Sequence, residues 1–137
     1  MTSGDSVSDL QNLRDPGFLK EMDIKELNEL AHTVRSFIID SVSRTGGHLS
    51  SNLGVVELTI AIHKVFDSPR DKIIFDIGHQ GYTHKILTGR AGQFETLRKK
   101  DGLSGYLVRS ESVHDCWEAG HSSTALAALA GFEMARI

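Results

Sequence analysis

The sequence predicts a helix-rich α/β domain with an incomplete parallel sheet. Ile73, Ile74 and Phe75 form a short apolar run that ends at Asp76 and a glycine, which is typical of a central strand buried on both faces. Several other segments have helical patterns, and no return strand follows the last of them, so we expect a sequence cut within an α/β domain. The alternative is a complete all-helical domain in which residues 72–75 are helical.

Composition limits the class of protein. The chain has 137 residues, of which 39% are hydrophobic and 24% charged, with a formal net charge of −3. These values fit one globular domain and give no basic surface for nucleic acid or an anionic membrane. No apolar run reaches the roughly 18 residues of a membrane span, and the polar, acidic start is unlike a secretory signal. A single cysteine excludes an internal disulfide, and we expect a cytoplasmic protein.

The chain is expected to divide into two parts. Residues 1–22 are polar and contain the turn signal Asp15-Pro16-Gly17, so they predict a loose amino-terminal arm. Residues 23–137 carry the periodic apolar segments and predict the folded domain.

The first helix is predicted over residues 23–44. Asp23 suits the N-cap position, Glu26 completes a capping box, and the glycines at 46 and 47 end the helix. Apolar residues recur at three- and four-residue steps and predict one buried stripe: Ile24, Leu27, Leu30, Ala31, Val34, Ile38 and Val42.

A second helix is predicted over residues 51–67, capped by Ser51 or Asn52. One side carries Val55, Leu58, Ile62 and Val65. Three further apolar residues widen this surface and predict burial on more than one face: Val56, Ile60 and Phe66.

The later elements are shorter. After the strand at residues 72–75 we expect a short helix that ends at Gly89, then another at residues 92–100. Residues 101–115 predict a loop with a weak second strand at residues 104–110. The last helix is expected to begin at about Ser122.

Three element junctions place glycine directly before histidine. These are His48, His79 and His121, the last of which is followed by Ser122. In parallel α/β sheets, ligands bind outside the carboxyl ends of the strands, where such turns collect. Glycine lets a ligand approach the backbone, and a helix N-terminus suits phosphate. The three junctions together therefore predict a ligand site.

Other kinds of site find little support in the sequence. The histidines lack the spacing of a zinc site, and the single cysteine provides no cysteine pair. No GxSxG elbow indicates a serine hydrolase, and no GxGxxG motif indicates a nicotinamide-binding fold.

The motifs "GGHLSSNLG", "DIGHQGYTHKILTGR" and "GHSST" resemble, in order, the amino-terminal domain of the 1-deoxy-D-xylulose-5-phosphate synthases, and the resemblance covers residues 27–137. It implies that residues 23–137 are the amino-terminal part of a transketolase-like, thiamine-diphosphate-binding domain. The family condenses pyruvate with glyceraldehyde 3-phosphate, with loss of carbon dioxide, and supplies isoprenoid precursors. The cofactors implied are thiamine diphosphate and Mg²⁺, and the full-length enzyme is expected to be a homodimer.

The resemblance also implies residue roles. His48 and His79 resemble catalytic histidines, and His79 also resembles a cofactor contact. Gly120, His121 and Ser122 resemble the cofactor-binding segment, while Arg98 resembles an arginine that anchors a carboxylate of the substrate. A solvated helix end is the other interpretation of Arg98.

One departure from the family pattern limits what this chain can do. The Gly-Asp-Gly motif that begins the family's Mg²⁺ site is absent, so no metal ligands are predicted here. We therefore expect a fragment that is inactive alone. The alternatives are one chain of a split transketolase-like enzyme and a non-catalytic assembly module.

Overall fold

The computed structural model describes residues 10–135, which form a helical domain. In chain order the α-helices are α1 (Ile24–Thr45), α2 (Ser50–Leu53), α3 (Val56–Val65), α4 (Tyr82–Lys85) and α5 (Ala125–Ala135). Shorter pieces are three 3-10 helices and one π-helical turn: Leu10–Asn12, Pro16–Glu21, Ala91–Thr96 and Ile86–Arg90. No β-strand is found in this part of the chain, and none of its helices is long and apolar enough to cross a membrane.

Helix α1 begins and ends where the sequence predicts. The Asp23 carboxylate accepts from the Glu26 N–H at 2.9 Å, and the Glu26 carboxylate accepts from the Asp23 N–H at 2.7 Å, which completes the capping box. Gly46 ends the helix with a φ of 73°. The stripe from Leu30 to Val42 is buried. Ile24, at the start of the predicted stripe, is 75% exposed and lines a surface groove between α1 and α3.

The predicted second helix is divided in two, and its buried face matches the predicted one only in part. Neither Ser51 nor Asn52 caps a helix, since both lie inside α2. In α3, Leu58 and Val65 of the predicted side are exposed, whereas Val56 and Ile60 are buried as predicted. The polar residues Thr59 and His63 are buried with them. This face is favoured because the His63 imidazole pairs with a second buried histidine on α4, His84.

Residues 72–75 form neither the predicted strand nor the alternative helix. Ile73 is buried, while Ile74 and Phe75 are half-buried. A strand needs neighbours for its N–H and C=O groups, and the described residues offer no second strand. Residues 104–110 are irregular for the same reason. A groove of about 240 Å³ lies beside Ile73 and Ile74, lined also by Leu129 of α5.

The described part of the predicted arm, residues 10–22, packs against the domain instead of lying loose. Leu10 and Leu19 are buried in the core shared by α1, α3 and α4. The Lys20 ammonium donates to the Lys64 and Phe66 carbonyls at 3.0 Å each. In return, the Lys64 ammonium donates to the Lys20 carbonyl at 2.7 Å. The two bonds from Lys20 satisfy carbonyls at the end of α3. Residues 1–9 lie outside the described residues, and the boundary at residue 23 stays a prediction.

The shorter helices differ in detail from their predicted form. Gly89 interrupts the helical backbone as predicted, since its φ is 89° within Ile86–Arg90. An added Cβ there would lie 2.6 Å from the Arg14 carbonyl oxygen. The segment predicted at residues 92–100 is a 3-10 helix that ends at Thr96. Helix α5 begins at Ala125, so Ser122 lies in the turn before it.

Candidate functional site

Two of the predicted site histidines lie side by side. His48 follows α1 and His79 precedes α4, and their half-buried rings meet edge to face with centroids 5.3 Å apart. Residues 97–124 form a loop between the last 3-10 helix and α5, which we call the long loop. The ring centroid of its Tyr106 lies 5.4 Å from that of His48, and the ring centroid of Tyr82 lies 6.2 Å from that of His48. Three segments that are distant in the sequence thus form one cluster, which we call the histidine cluster: His48, His79, Tyr82 and Tyr106.

Glycine permits the close approach of His48 to Tyr82. Gly47 has a φ of 143°, and an added Cβ would lie 2.7 Å from the Tyr82 hydroxyl oxygen. That hydroxyl accepts a hydrogen bond from the His48 N–H at 3.2 Å. Any side chain at position 47 would therefore push the His48 loop away from α4.

Asn52 joins the segments that carry the cluster. Its amide nitrogen donates to the His48 carbonyl at 2.6 Å and to the His79 carbonyl at 2.8 Å. Its amide oxygen accepts from the Tyr82 N–H at 2.8 Å. Sequence reasoning assigned Asn52 only a capping role and gave none to Tyr82 or Tyr106. The available signal was a polar residue directly before the apolar run of α3.

The environment of the histidine cluster favours neutral His48. Burial lowers the pKa of His48, and the nearby His79 and the Arg98 guanidinium lower it further, while a hydrogen bond with the Gly105 backbone opposes them. The Nδ1 atom of His79 is buried and has no hydrogen-bond partner among the described residues. A buried polar atom without a partner is uncommon in folded proteins and calls for an explanation.

Arg98 lies close to this cluster although it is exposed. It follows the 3-10 helix with a φ of 61°, and its backbone N–H donates to the Leu103 carbonyl at 2.7 Å. Its aliphatic carbons cover Gly105, where an added Cβ would lie 3.1 Å from Arg98 Cγ. A guanidinium whose charge reaches His48 suits the binding of a carboxylate or phosphate.

The turn at Gly120, His121 and Ser122 is exposed and is held by one carboxylate. Asp76 accepts from the Ser123 N–H at 2.9 Å and from the Ala125 N–H at 3.3 Å, and these bonds lower its pKa. Asp76 thus occupies backbone N–H groups at the start of α5, a position that we expected to suit a phosphate. Since Asp76 lies three residues before His79 in the sequence, it ties the turn to the loop of that histidine.

A second group of charged and polar side chains shares helix α4 with the histidine cluster. We call it the buried network, and its members are His63, His84, Lys85, Arg90, Glu111 and Asp115. His63 Nε2 lies 2.9 Å from His84 Nδ1, and His84 Nε2 lies 3.0 Å from the Asp115 carboxylate, which also binds Arg90 at 2.7 and 2.8 Å. A carboxylate only accepts, so the neutral His84 donates from Nε2 and accepts at Nδ1 from His63. Burial lowers the pKa of His63 to about 3.

The buried network anchors the long loop over the cluster. Asp115 accepts from the Val108 N–H at 3.1 Å, and Glu111 accepts from the Ser104 N–H at 2.7 Å while pairing with Lys85. These bonds lie on both sides of Tyr106 and hold that residue against His48. Within residues 10–135, no three His, Cys, Asp or Glu side chains are grouped as metal ligands.

Comparison with known proteins identifies one family. The 1-deoxy-D-xylulose-5-phosphate synthase family model matches residues 10–137. The chain is 60% identical over 128 residues to the 1-deoxy-D-xylulose-5-phosphate synthase of Geobacillus sp. (strain WCH70). It is 59% identical over the same length to those of Listeria welshimeri and Bacillus cereus (strain AH187). These alignments cover 93% of this chain and 20% of each relative, so the chain spans about a fifth of their length.

The matched residues include the histidine cluster, Arg98 and the turn before α5. The family that the sequence motifs resemble is thereby confirmed, together with its transketolase-like class. This chain belongs to the 1-deoxy-D-xylulose-5-phosphate synthase family.

Proposed function

We propose that this chain supplies the amino-terminal part of the active site of a 1-deoxy-D-xylulose-5-phosphate synthase. That enzyme condenses pyruvate with glyceraldehyde 3-phosphate, with loss of carbon dioxide. The observation that carries the proposal is the edge-to-face contact of His48 with His79, beside the Arg98 guanidinium. Membership in the family supports the substrates and the reaction.

The residues present fit one side of a thiamine diphosphate site. The buried, unpaired Nδ1 of His79 is a polar atom that a ligand would satisfy. The exposed side chains of His121 and Ser122, with Gly120 before them, form a second contact surface. Mg²⁺ is part of the proposal for the whole enzyme only, and its ligands would come from outside the described residues.

Each proposed residue has a distinct task. Thiamine diphosphate, when bound, supplies the electron sink for decarboxylation. His48 has a lowered pKa, is neutral near pH 7, and can accept or return a proton at its imidazole nitrogen. His79 makes a polar contact to the cofactor through Nδ1 and shares the proton transfer. Arg98 binds the carboxylate or phosphate of a substrate.

We also propose how this segment fits into the longer protein. Residues 72–75 become a strand of an incomplete parallel sheet when neighbouring strands from the rest of the protein are present. The groove beside Ile73, Ile74 and Leu129 supports this placement, because it is apolar and about 240 Å³ in volume. A domain that begins at residue 23, a homodimer of the whole enzyme and a cytoplasmic location complete the proposal.

A chimera tests this function. The first 128 aligned residues of the Geobacillus relative would be replaced by those of this chain, and carboligation of the two substrates measured with thiamine diphosphate and Mg²⁺. We expect turnover in the chimera and none from the isolated chain. His48→Gln should lower kcat by about 10²- to 10⁴-fold, the range for loss of an acid–base group.

The matched control is His32→Gln, because His32 is an exposed histidine on α1. An inactive but folded chimera, or equal rates for the two histidine variants, would contradict the proposal. Restored activity on mixing the isolated chain with the remainder of the relative would support the split-enzyme alternative.

The exposed apolar side of α5 favours a second candidate, a non-catalytic assembly module. Leu126 and Met134 are 77% and 87% exposed, and apolar helices are usually buried. Light scattering that shows a stable, folded monomer would argue against this candidate.

A further inference from the structure

We infer that Asn52 is a positioning residue, which fixes the loop of His48 against the loop of His79 so that the two imidazoles meet. This inference rests on the proposed function, since it concerns the same pair of histidines. Asn52 is fully buried, and its side chain contacts the backbone of both loops.

The contacts use both amide protons of Asn52. An asparagine amide offers two donor protons and one acceptor oxygen. Here the protons go to the His48 and His79 carbonyls, at 2.6 and 2.8 Å, and the oxygen accepts from the Tyr82 N–H at 2.8 Å. One side chain therefore connects three segments: the loop after α1, the loop before α4, and the first residue of α4.

The partners fix the orientation of the amide. Both histidine carbonyls can only accept, so the nitrogen of Asn52 must face them. The Tyr82 N–H can only donate, so the oxygen must face it. No apolar side chain of similar size can replace these bonds, and losing them would leave two buried carbonyls and one N–H unpaired.

Tyr82 closes the arrangement from the other side. Its hydroxyl accepts from the His48 N–H at 3.2 Å, while its own backbone N–H is held by Asn52. The His48 backbone is thus held at its carbonyl by Asn52 and at its N–H by Tyr82. The His79 loop is held by Asn52 at its carbonyl, so Asn52 is the residue that links the two histidines directly.

Such a link matters because proton transfer depends on placement. A displacement of about 1 Å at a reacting group can cost about 100-fold in rate. Asn52 does this work through the backbone of the two histidines, so a change at Asn52 should alter the ring contact even in a folded protein.

The test is a neutral substitution, Asn52→Leu, with Asn28→Leu as its matched control on the exposed side of α1. The imidazole proton shifts of His48 and His79, and the cross-relaxation between the two rings, would be measured by NMR on the folded 137-residue chain. We expect the cross-relaxation to disappear and both sets of ring shifts to change in Asn52→Leu only. A purely structural asparagine would lower stability without moving these native-state signals.

Two further variants test the same contacts if Asn52→Leu does not fold. Asn52→Ser retains one donor and should weaken the ring contact, whereas Tyr82→Phe should move the His48 signals and leave those of His79 unchanged. Unchanged ring contacts in folded Asn52→Leu or Asn52→Ser would overturn the inference.

The chimera separates this inference from the proposed function. There Asn52→Ser should lower kcat by up to about 100-fold, with a much smaller change in KM. An inactive chimera with an intact ring contact would count against the function alone. A lost ring contact with unchanged kcat would overturn the positioning role.

Discussion

Helices α1 and α5 differ sharply in how they are held. Helix α1 buries a continuous apolar stripe from Leu30 to Val42 against α3, α4 and the 3-10 helix Ala91–Thr96. Helix α5 is apolar along most of its length yet buries only Ala125. The part of the candidate site next to α1 is therefore supported by its own core, while the turn before α5 depends on one carboxylate, Asp76.

This contrast shows that a site needs two separate things: residues of the right chemical type, and surrounding contacts that hold those residues in place. His48 and His79 are held by Asn52, Tyr82 and the buried network. The side chains of His121 and Ser122 are exposed, and the turn that carries them is held through Asp76. The following three predictions test whether the difference is real, from the largest expected effect to the smallest.

The largest effect is expected for Asp115→Asn. This change removes the carboxylate that pairs with Arg90 and accepts from His84, and leaves the buried Arg90 charge poorly compensated. Removing one partner of a buried pair costs about 3–5 kcal/mol in unfolding free energy. Urea titration measures this loss.

Asp40→Asn is the surface control for Asp115→Asn. Asp40 pairs with Arg44 at 2.7 Å on the exposed side of α1, and such surface pairs contribute about 0–1 kcal/mol. Equal losses in the two variants would show that the buried network does not stabilise the core.

The second effect is on the pH dependence of stability. The pKa of buried His63 is lowered from 6.5 to about 3. Between these values the unfolded chain binds a proton that the folded chain does not, so the unfolding free energy falls as pH falls. The slope from His63 is up to about 1.4 kcal/mol per pH unit.

His63→Gln should reduce this slope between pH 6.5 and 3, because glutamine can still donate to His84 but does not titrate in this range. His32→Gln, at an exposed position of α1, should leave the slope unchanged. Denaturant titrations at several pH values provide the measurement. An unaltered slope in His63→Gln would show that His63 is not the group responsible.

The smallest effect on global stability is expected for Asp76→Asn. The amide loses the negative charge and one of the two oxygens that accept from the Ser123 and Ala125 N–H groups. Hydrogen exchange should speed up in the first turn of α5, while exchange in α1 and the urea midpoint stay unchanged. Accelerated exchange in α1 would show that α5 and the core unfold as one unit.

Local chemistry explains why some elements could be predicted from the sequence. The capping box of α1 and the stop at Gly89 depend on side chains and backbone angles within a few residues. The buried face of α3 could not be predicted in this way. It depends on His63 pairing with His84, a contact 21 residues away in the chain.

The candidate site shows the same division. The glycine-histidine junctions were visible as motifs, and the structure brings His48, His79 and Arg98 close together. Asn52, Tyr82 and Tyr106 were missed because their roles arise from contacts between distant segments. The predicted strand at residues 72–75 was not found, because a strand forms only where a neighbour completes its hydrogen bonds.

The sequence by itself determined the family and the bounds of α1, and it predicted candidate site residues, because each of these depends on short motifs. Only the tertiary structure decided which face of α3 is buried, that Asp76 occupies the start of α5, and that Asn52 joins the two histidine loops. The physical reason is that a buried polar group must find a partner wherever the folded chain places one.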